Sequence, residues 1–312
     1  MKVLISGTSG FIGGNLFNIL GKSFFAVSIG RSLNSNIVAD FGDLDSIITL
    51  NLKGFDLFIY CSGATDEEFE KDALKAYQRS TYYFSKLLEK VINQGIKKII
   101  HFSAGQVYGT FEGHIDENSP VNPITDYSIA HYAAEQILRR FSEQFDIQVL
   151  VIRPGAVFGT PQNWDTFKRW HLIPYSFPLS CIYKQKIVLR SSGFQKRDFV
   201  SIKDVAGYIT SYLECPKYFD RYSILNPTGN NALSVYDFAV KCKTIYTKLT
   251  GNKCEVIRTD VVNNRMSNHF EYCTKYNFYK PIHGLDEYLE IFMKKVLKDY
   301  EINIFYGINL NE

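Results

Sequence analysis

The chain has no paired cysteines, no long apolar run and almost no charge imbalance, and each absence removes a class of function. Thirty-five basic and thirty-two acidic side chains leave a formal net charge of +3. That is too small to make nucleic acid or an anionic membrane the main partner. No run approaches the roughly 18 to 20 apolar residues that span a bilayer. The start, Met1-Lys2-Val3-Leu4-Ile5, runs straight into glycine-rich sequence, without the apolar stretch and small-residue cleavage site of a secretory signal. A cytoplasmic protein with neither membrane nor nucleic acid as partner is the expectation. Cys61, Cys181, Cys215, Cys242, Cys254 and Cys273 are scattered with no CxxC, so neither a disulfide framework nor a zinc knuckle is signalled. His269 and Cys273 are spaced to share one helical face, but without a second pair of ligands they predict no metal site. Internal repeats and low-complexity linkers are also missing.

What is present is alternation. Short β-rich runs, Val3-Leu4-Ile5, Phe25-Ala26-Val27-Ser28-Ile29, Leu57-Phe58-Ile59-Tyr60, Lys98-Ile99-Ile100-His101-Phe102 and Val149-Leu150-Val151-Ile152, recur between helix-length amphipathic segments. Near-continuous apolar strands in that arrangement predict a parallel sheet covered on both faces. The segment from Glu67 to Asn93 has helical spacing and stops at Gly95. After about residue 155 the alternation gives way to loops bearing Pro161, Trp164, Trp170, Pro174 and Pro178. The expected organisation is an α/β domain over 1–160, with a returning segment near 198–212, and a smaller, interleaved lobe over 161–312.

The first motif with chemical content is Gly7-Thr8-Ser9-Gly10-Phe11-Ile12-Gly13, directly after the first strand and opening an amphipathic segment. Glycines there permit a tight turn, close approach of backbone to a pyrophosphate, and close helix-strand packing. The second strand ends at Ile29-Gly30-Arg31-Ser32, without the acidic side chain that would meet a ribose 2′-hydroxyl. Arg31 and Ser32 suit a 2′-phosphate instead, which predicts NADP(H) with NAD as the alternative.

The chain resembles the extended short-chain dehydrogenase/reductases, the NAD-dependent epimerase/dehydratase family that acts on nucleotide sugars. The resemblance is an ordered series spanning most of the length. After the GxxGxxG pattern, Asp40-Phe41 resembles the pair that contacts adenine, and Cys61-Ser62-Gly63-Ala64 the small-residue loop beside the cofactor. Ser103-Ala104-Gly105-Gln106-Val107-Tyr108-Gly109 is similar to the catalytic serine/threonine loop, and Asp116-Glu117, Pro120 and Asn122-Pro123 lead to Tyr127. Arg153-Pro154 with Phe158-Gly159, then Arg197-Asp198-Phe199-Val200 with Asp204-Val205, Ser234-Val235 and Asn277-Phe278-Tyr279-Lys280-Pro281 complete it.

The resemblance implies a Rossmann-type doubly wound sheet binding NAD(P), a C-terminal lobe holding a nucleoside-diphosphate sugar, and hydride transfer at a sugar carbon, with polysaccharide biosynthesis as the setting. The family's tyrosine is general acid or base on the sugar oxygen. Its lysine holds the nicotinamide ribose and lowers the tyrosine pKa from about 10. Gly7, Ser9, Gly10, Phe11, Ile12, Gly13, Arg31, Ser32, Asp40, Phe41, Ser62, Gly63, Ala64, Tyr127, His131 and Pro154 would hold the cofactor, and Ala104, Gln106, Arg197 and Arg258 the substrate. Arg265, near Asn263-Asn264, is a further candidate for the diphosphate.

Departures cluster at the reaction centre. Tyr127 is present, but His131 stands at the lysine position, Ala104 at the hydroxyl position, and Ser80 aligns with the family's asparagine. A neutral histidine depresses a tyrosine pKa weakly, and each lost acid-base contact typically costs about 10²- to 10⁴-fold in rate. Ser103, one residue early, and His131 itself are the remaining catalytic candidates. Ala104-Gly105-Gln106 lacks the carboxylates that dehydration needs. Epimerisation needs oxidation and reduction through the same tyrosine. Reduction of a 4-keto nucleotide sugar is the least demanding surviving chemistry, with epimerisation, or a non-catalytic dinucleotide-binding role, as alternatives. Tyr82-Tyr83-Phe84 reads as packing or interface material. By the family's habit, a homodimer through the helices over 67–93 and 128–145 is expected.

Overall fold

The computed structural model describes residues 1–109, 111–165, 167–215, 220–259 and 269–298. In chain order the first lobe runs β1 (Lys2–Ser6), α1 (Phe11–Leu20), β2 (Phe25–Gly30), β3 (Ile37–Val38), α2 (Leu44–Thr49), β4 (Leu57–Tyr60) and α3 (Asp66–Gln78). A π-turn at Arg79–Tyr83 leads into α4 (Phe84–Asn93), then β5 (Lys98–Phe102), β6 (Gly113–Ile115), α5 (Asp126–Phe145) and β7 (Gln148–Ile152). The remainder comprises β8 (Ala156–Phe158), α6 (Ile173–Lys184), β9 (Lys186–Leu189), β10 (Lys196–Ser201) and α7 (Ile202–Glu214). It ends with β11 (Tyr222–Leu225), β12 (Ala232–Ser234), α8 (Val235–Thr250), β13 (Glu255–Arg258), β14 (Phe270–Tyr272) and α9 (Leu285–Lys298).

All five apolar runs become strands of one seven-stranded sheet, ordered β11-β7-β5-β4-β1-β2-β3 and parallel throughout. Because strand side chains alternate between faces, Val3, Ile5, Ile59, Ile100, Phe102 and Ile152 pack under α1 and α7 with Leu16, Val205 and Ile209. Leu4, Phe58, Tyr60, Ile99, Val149 and Val151 point the other way, to Phe84, Leu87 and Val91 of α4 and Leu138 and Phe141 of α5. Full burial of such a side chain contributes about 1.5–3 kcal/mol over leaving it exposed. Two-sided burial is what made these runs nearly continuously apolar.

The helix read over Glu67 to Asn93 is two helices joined through the π-turn, with non-helical backbone also at Asp72. It ends where Gly95 takes φ +94°. The returning segment supplies β10 and α7, but the sheet also takes an outer strand beyond it, since Tyr222 pairs with Val149 and Leu225 with Ile152. The second lobe packs α6, α8 and α9 around Phe199, Phe238, Leu289, Phe292 and Met293. Small sheets β12-β10-β8, β13-β9 and β14-β6 surround it. The Asn277-to-Pro281 segment is irregular. Its Tyr279 hydroxyl donates to Asp204 at 2.8 Å, and Asp204 also accepts from the backbone of Ile282 and His283. Asp204 is therefore a fastening between lobes, not a ligand group. Among the described residues, no helix is long and apolar enough to cross a membrane.

Candidate active site

A cavity of about 430 Å³ opens at the carboxyl ends of β1, β4 and β5 and is closed from the other side by residues of the second lobe. Its floor is the glycine turn. Gly7 has φ +68°, and a Cβ there would stand 2.6 Å from the carbonyl oxygen of Cys61; a Cβ on Gly13 would stand 2.4 Å from that of Gly7. The turn is closed to any side chain at both positions. Helix α1 begins at Gly10 with no side-chain cap and no acidic residue in its first turn, so its N-terminal N–H groups and dipole are available to an anion. Gly7, Gly10, Phe11, Ile12 and Gly13 all line the cavity. The chemistry of this cradle fits a dinucleotide pyrophosphate.

Tyr127 is held by the start of α5. Thr125 and Ser128 form a capping box, with Ser128 N donating to Thr125 Oγ1 at 3.2 Å and Thr125 N to Ser128 Oγ at 3.0 Å. The neighbouring Asp126 accepts from the Tyr77 hydroxyl at 2.8 Å, which ties α5 to α3. His131 follows one turn later on the same face. Its ring meets that of Tyr127 edge to face at 4.4 Å, and a Cβ on Gly63 would stand 3.1 Å from its Cε1. Tyr127 and His131 both line the cavity. Burial pushes the Tyr127 hydroxyl up to about 12, with Arg169 acting in the lowering direction and Asp66 and Glu67 in the raising one. Burial, then the Arg169 cation, pulls His131 down to about 4. Tyr127 is thus a protonated hydroxyl, and His131 a neutral imidazole, at neutral pH.

Ser103 lines the cavity, but its hydroxyl donates to Glu135 Oε1 at 2.5 Å. Glu135 in turn receives both Arg153 Nε, at 3.0 Å, and Nη2, at 2.5 Å. All three side chains are buried. The Ser103 hydroxyl, expected as a catalytic candidate, is thus engaged with Glu135 behind the cavity wall while the residue itself lines the cavity. Ala104, with no hydroxyl, and Gln106 stand on the cavity wall.

Of the other expected residues, Gly63, Ala64, Pro154 and Arg197 line the cavity, whereas Ser9, Arg31, Ser32, Asp40, Phe41, Ser62 and Arg258 lie outside its lining. Arg31 and Ser32 directly follow β2, which neighbours β1 in the sheet. Asp40 braces its own turn, accepting from Gly42 N at 2.9 Å, and Phe41 is buried against Tyr60. The Arg197 guanidinium lies 4.9 Å over the Phe111 ring, and burial pulls its pKa down. It forms no structural pair with Asp198, whose carboxylate takes Thr228 Oγ1, Gly229 N and Asn231 N, nor with Asp204. Arg258, expected at the substrate, ends β13 with its guanidinium 4.8 Å over the Tyr236 ring of α8, away from the cavity lining. Arg265, with Asn263 and Asn264, lies outside the described residues.

Sequence reasoning missed Arg169, Asp66, Phe270 and Tyr272, which also line the cavity. Arg169 pairs with Asp66 at 3.5 Å and Glu67 at 3.9 Å, joining the aromatic loop of the second lobe to the start of α3. No spacing in the sequence connects positions a hundred residues apart. Phe270 and Tyr272 sit on β14, so His269 and Cys273 flank a strand, not a helix. Across the strand pair, His114, Glu271 and Cys273 bring one ligand atom each within 4.8 Å on the outer surface.

Known proteins resemble this one in sequence, and solved structures share its fold. It is 24% identical over 294 residues, 86% of this chain and 88% of the other, to a Bacillus subtilis protein named as an uncharacterized UDP-glucose epimerase. The UDP-glucose 4-epimerase of Thermotoga maritima, solved with UDP-glucose, superposes with TM-score 0.77 at 18% identity, covering 96% of this chain and 100% of the other. The RMD protein of Pseudomonas aeruginosa, complexed with NADPH, superposes with TM-score 0.74 at 17% identity, covering 94% and 97%. The model of the NAD dependent epimerase/dehydratase family matches residues 3–226, and the chain belongs to that family.

Proposed function

We propose that the protein is a nucleotide-sugar oxidoreductase that reduces a 4-keto nucleoside-diphosphate sugar, with NADP(H) as its cofactor and NAD as the alternative. The observation that supports the direction is the setting of Tyr127, which lines the cavity beside the His131 ring, 4.4 Å away, where a lysine would be needed to turn it into a base. Burial pushes its hydroxyl up further, so Tyr127 serves as a donor. Reduction of a ketone needs one proton delivered to the carbonyl oxygen. Oxidation of an alcohol needs the tyrosine as a base, a role this environment opposes.

A bound nicotinamide cofactor supplies the hydride. The chain's own residues do the rest. The glycine turn and the α1 N-terminus hold the pyrophosphate, Arg31 and Ser32 meet the 2′-phosphate, and Gly63, Ala64, Pro154 and His131 border the reacting end. Asp40 and Phe41 are assigned to the adenine end. Arg197, with Ala104 and Gln106 on the same wall, faces the sugar diphosphate. Arg197 is half-buried and free of both neighbouring aspartates, which favours an anionic ligand over a structural ion pair. The lobe over 1–160 with its returning segment carries the cofactor, and 161–312 the sugar. Exposed Leu74, Tyr82 and Ile129 on the helical faces suit a homodimer. Composition favours the cytoplasm.

Epimerisation is the second reading, favoured by the names of the Bacillus and Thermotoga relatives. It requires oxidation as well as reduction. The test is a fluorescence titration with NADPH and NADH, followed by NADPH oxidation with a panel of 4-keto and 4-hydroxy nucleotide sugars. Turnover of ketones alone supports reduction. Interconversion of 4-hydroxy epimers makes it an epimerase. Tight dinucleotide binding with no turnover of any sugar leaves a non-catalytic binding protein of the same fold.

A further inference from the structure

His101, one residue before the end of β5, takes no part in the chemistry above. It is 1% exposed, and neither ring nitrogen has a hydrogen-bond partner. A neutral imidazole carries one donor and one acceptor, and leaving either unmade in the interior is unfavourable. Its ring stacks on Tyr60 at 5.7 Å and leans on Phe84 at 5.3 Å, contacts that a phenylalanine would make without that cost.

A second, small cavity lies against the imidazole. It has a volume of about 10 Å³ and is lined by His101, His131, Ser80 and Tyr60 among others, which is close to the room one water requires. The two imidazole centroids are 6.3 Å apart, too far for a direct bond and suited to a bridge. His131 borders both cavities. Ser80 belongs to the π-turn, a distortion that is frequent at functional sites.

We propose that one water in the small cavity bridges His101 to His131, making His101 a positioning residue that fixes the tautomer His131 presents to Tyr127. The inference rests on His131 acting beside Tyr127, as in the proposed function. When one nitrogen of a neutral imidazole is bonded to an oriented water, the other takes the complementary donor or acceptor role. Burial, with the neighbouring charges acting in the same direction, keeps both rings neutral. The charge acting on His131 is the Arg169 cation, and the titratable group acting on His101 is His131; Asp66 and Glu67 act on Tyr127. Among the described residues, no carboxylate acts on either ring.

The test is long-range proton–nitrogen NMR of histidine-labelled protein, in which six histidines are few enough to assign by substitution. His101 and His131 are expected as single neutral tautomers that stay unchanged well below the usual histidine midpoint. A high-resolution crystal structure is expected to show one water between them. In His101→Phe the His131 tautomer should become mixed and its titration should move. His101→Gln, which keeps a donor and an acceptor, should restore the single tautomer and the wild-type pH profile. A dry cavity, or His131 resonances identical in wild type and His101→Phe, overturns the proposal. None of these readouts needs substrate, so failure to reduce any ketone would sink the functional reading alone.

Discussion

The rings of Tyr127 and His131 lie 4.4 Å apart with planes at 62°, one turn along the same face of α5. In the family this resembles, a lysine occupies the second position and lowers the tyrosine pKa; here burial dominates and the hydroxyl rises to about 12. His131→Lys should therefore bring a cation to Tyr127 and lower its pKa. The expected result is a gain of about 10-fold or more in the oxidative direction, read from pH–rate profiles in both directions. No change in the oxidative limb would mean that the position does not govern the tyrosine.

Tyr127→Phe tests the donor itself. Loss of a positioned acid should lower ketoreduction by about 10²- to 10⁴-fold, with cofactor binding and melting temperature close to wild type. Full activity would remove Tyr127 from the mechanism.

Arg31 is exposed at the end of β2, so its removal should leave the fold intact. A charge-assisted contact to a 2′-phosphate is worth about 1.5–3 kcal/mol, or roughly 10- to 150-fold in affinity. Arg31→Ala should lose that much for NADPH and little for NADH in parallel titrations. Equal losses would show that Arg31 does not read the phosphate.

The parts of this fold that were legible are those where one local signal serves one purpose. Strands of a parallel sheet covered on both faces are nearly continuously apolar, so β1, β2, β4, β5 and β7 could be read directly, and the glycine turn announces itself because Gly7 and Gly13 admit no Cβ. Strand β11 was not legible, because four residues alternating between buried and half-buried look like loop until β7 is beside them. Arg169 and the Ser103–Glu135–Arg153 group were hidden for the same reason: their partners lie 18 to 103 positions away in the chain, brought close only by tertiary packing. His101 looked like an ordinary strand residue, and only its unpartnered nitrogens mark it.

Buried neutral histidines make stability depend on pH with a definite sign. Burial holds His101 at about 3 and His131 at about 4, against 6.5 for an unperturbed histidine. Between those values the unfolded chain binds more protons, so this contribution is complete above pH 6.5 and lost as pH falls. By pH 4 each histidine should have cost about 3 kcal/mol. Asp198, raised to about 6 by burial, works oppositely and regains about 2 kcal/mol over the same interval. Denaturant melts at pH 7 and pH 4 should show a net loss that His101→Phe reduces by about 3 kcal/mol. An unchanged pH dependence in that variant would mean that His101 is not neutral in the fold.

Glu135 is fully buried and accepts from Ser103 Oγ and from two nitrogens of Arg153, itself 2% exposed. The Arg153 guanidinium also lies 4.8 Å over the Tyr108 ring, and its backbone carbonyl accepts from the Tyr272 hydroxyl at 2.7 Å. This group underpins the wall that carries Ala104, Pro154 and Tyr272. Removing one charge leaves the other desolvated and uncompensated, which typically costs about 3–5 kcal/mol. Glu135→Gln should lose stability of that order, and because the damage is the orphaned cation, adding Arg153→Met should recover part of it. Urea melts of the two single variants and the double variant measure the coupling directly. If the double variant equals the sum of the singles, the pair does not act as a unit; if it is more stable than Glu135→Gln alone, the ion pair fixes the geometry of the cavity wall at little net gain in stability.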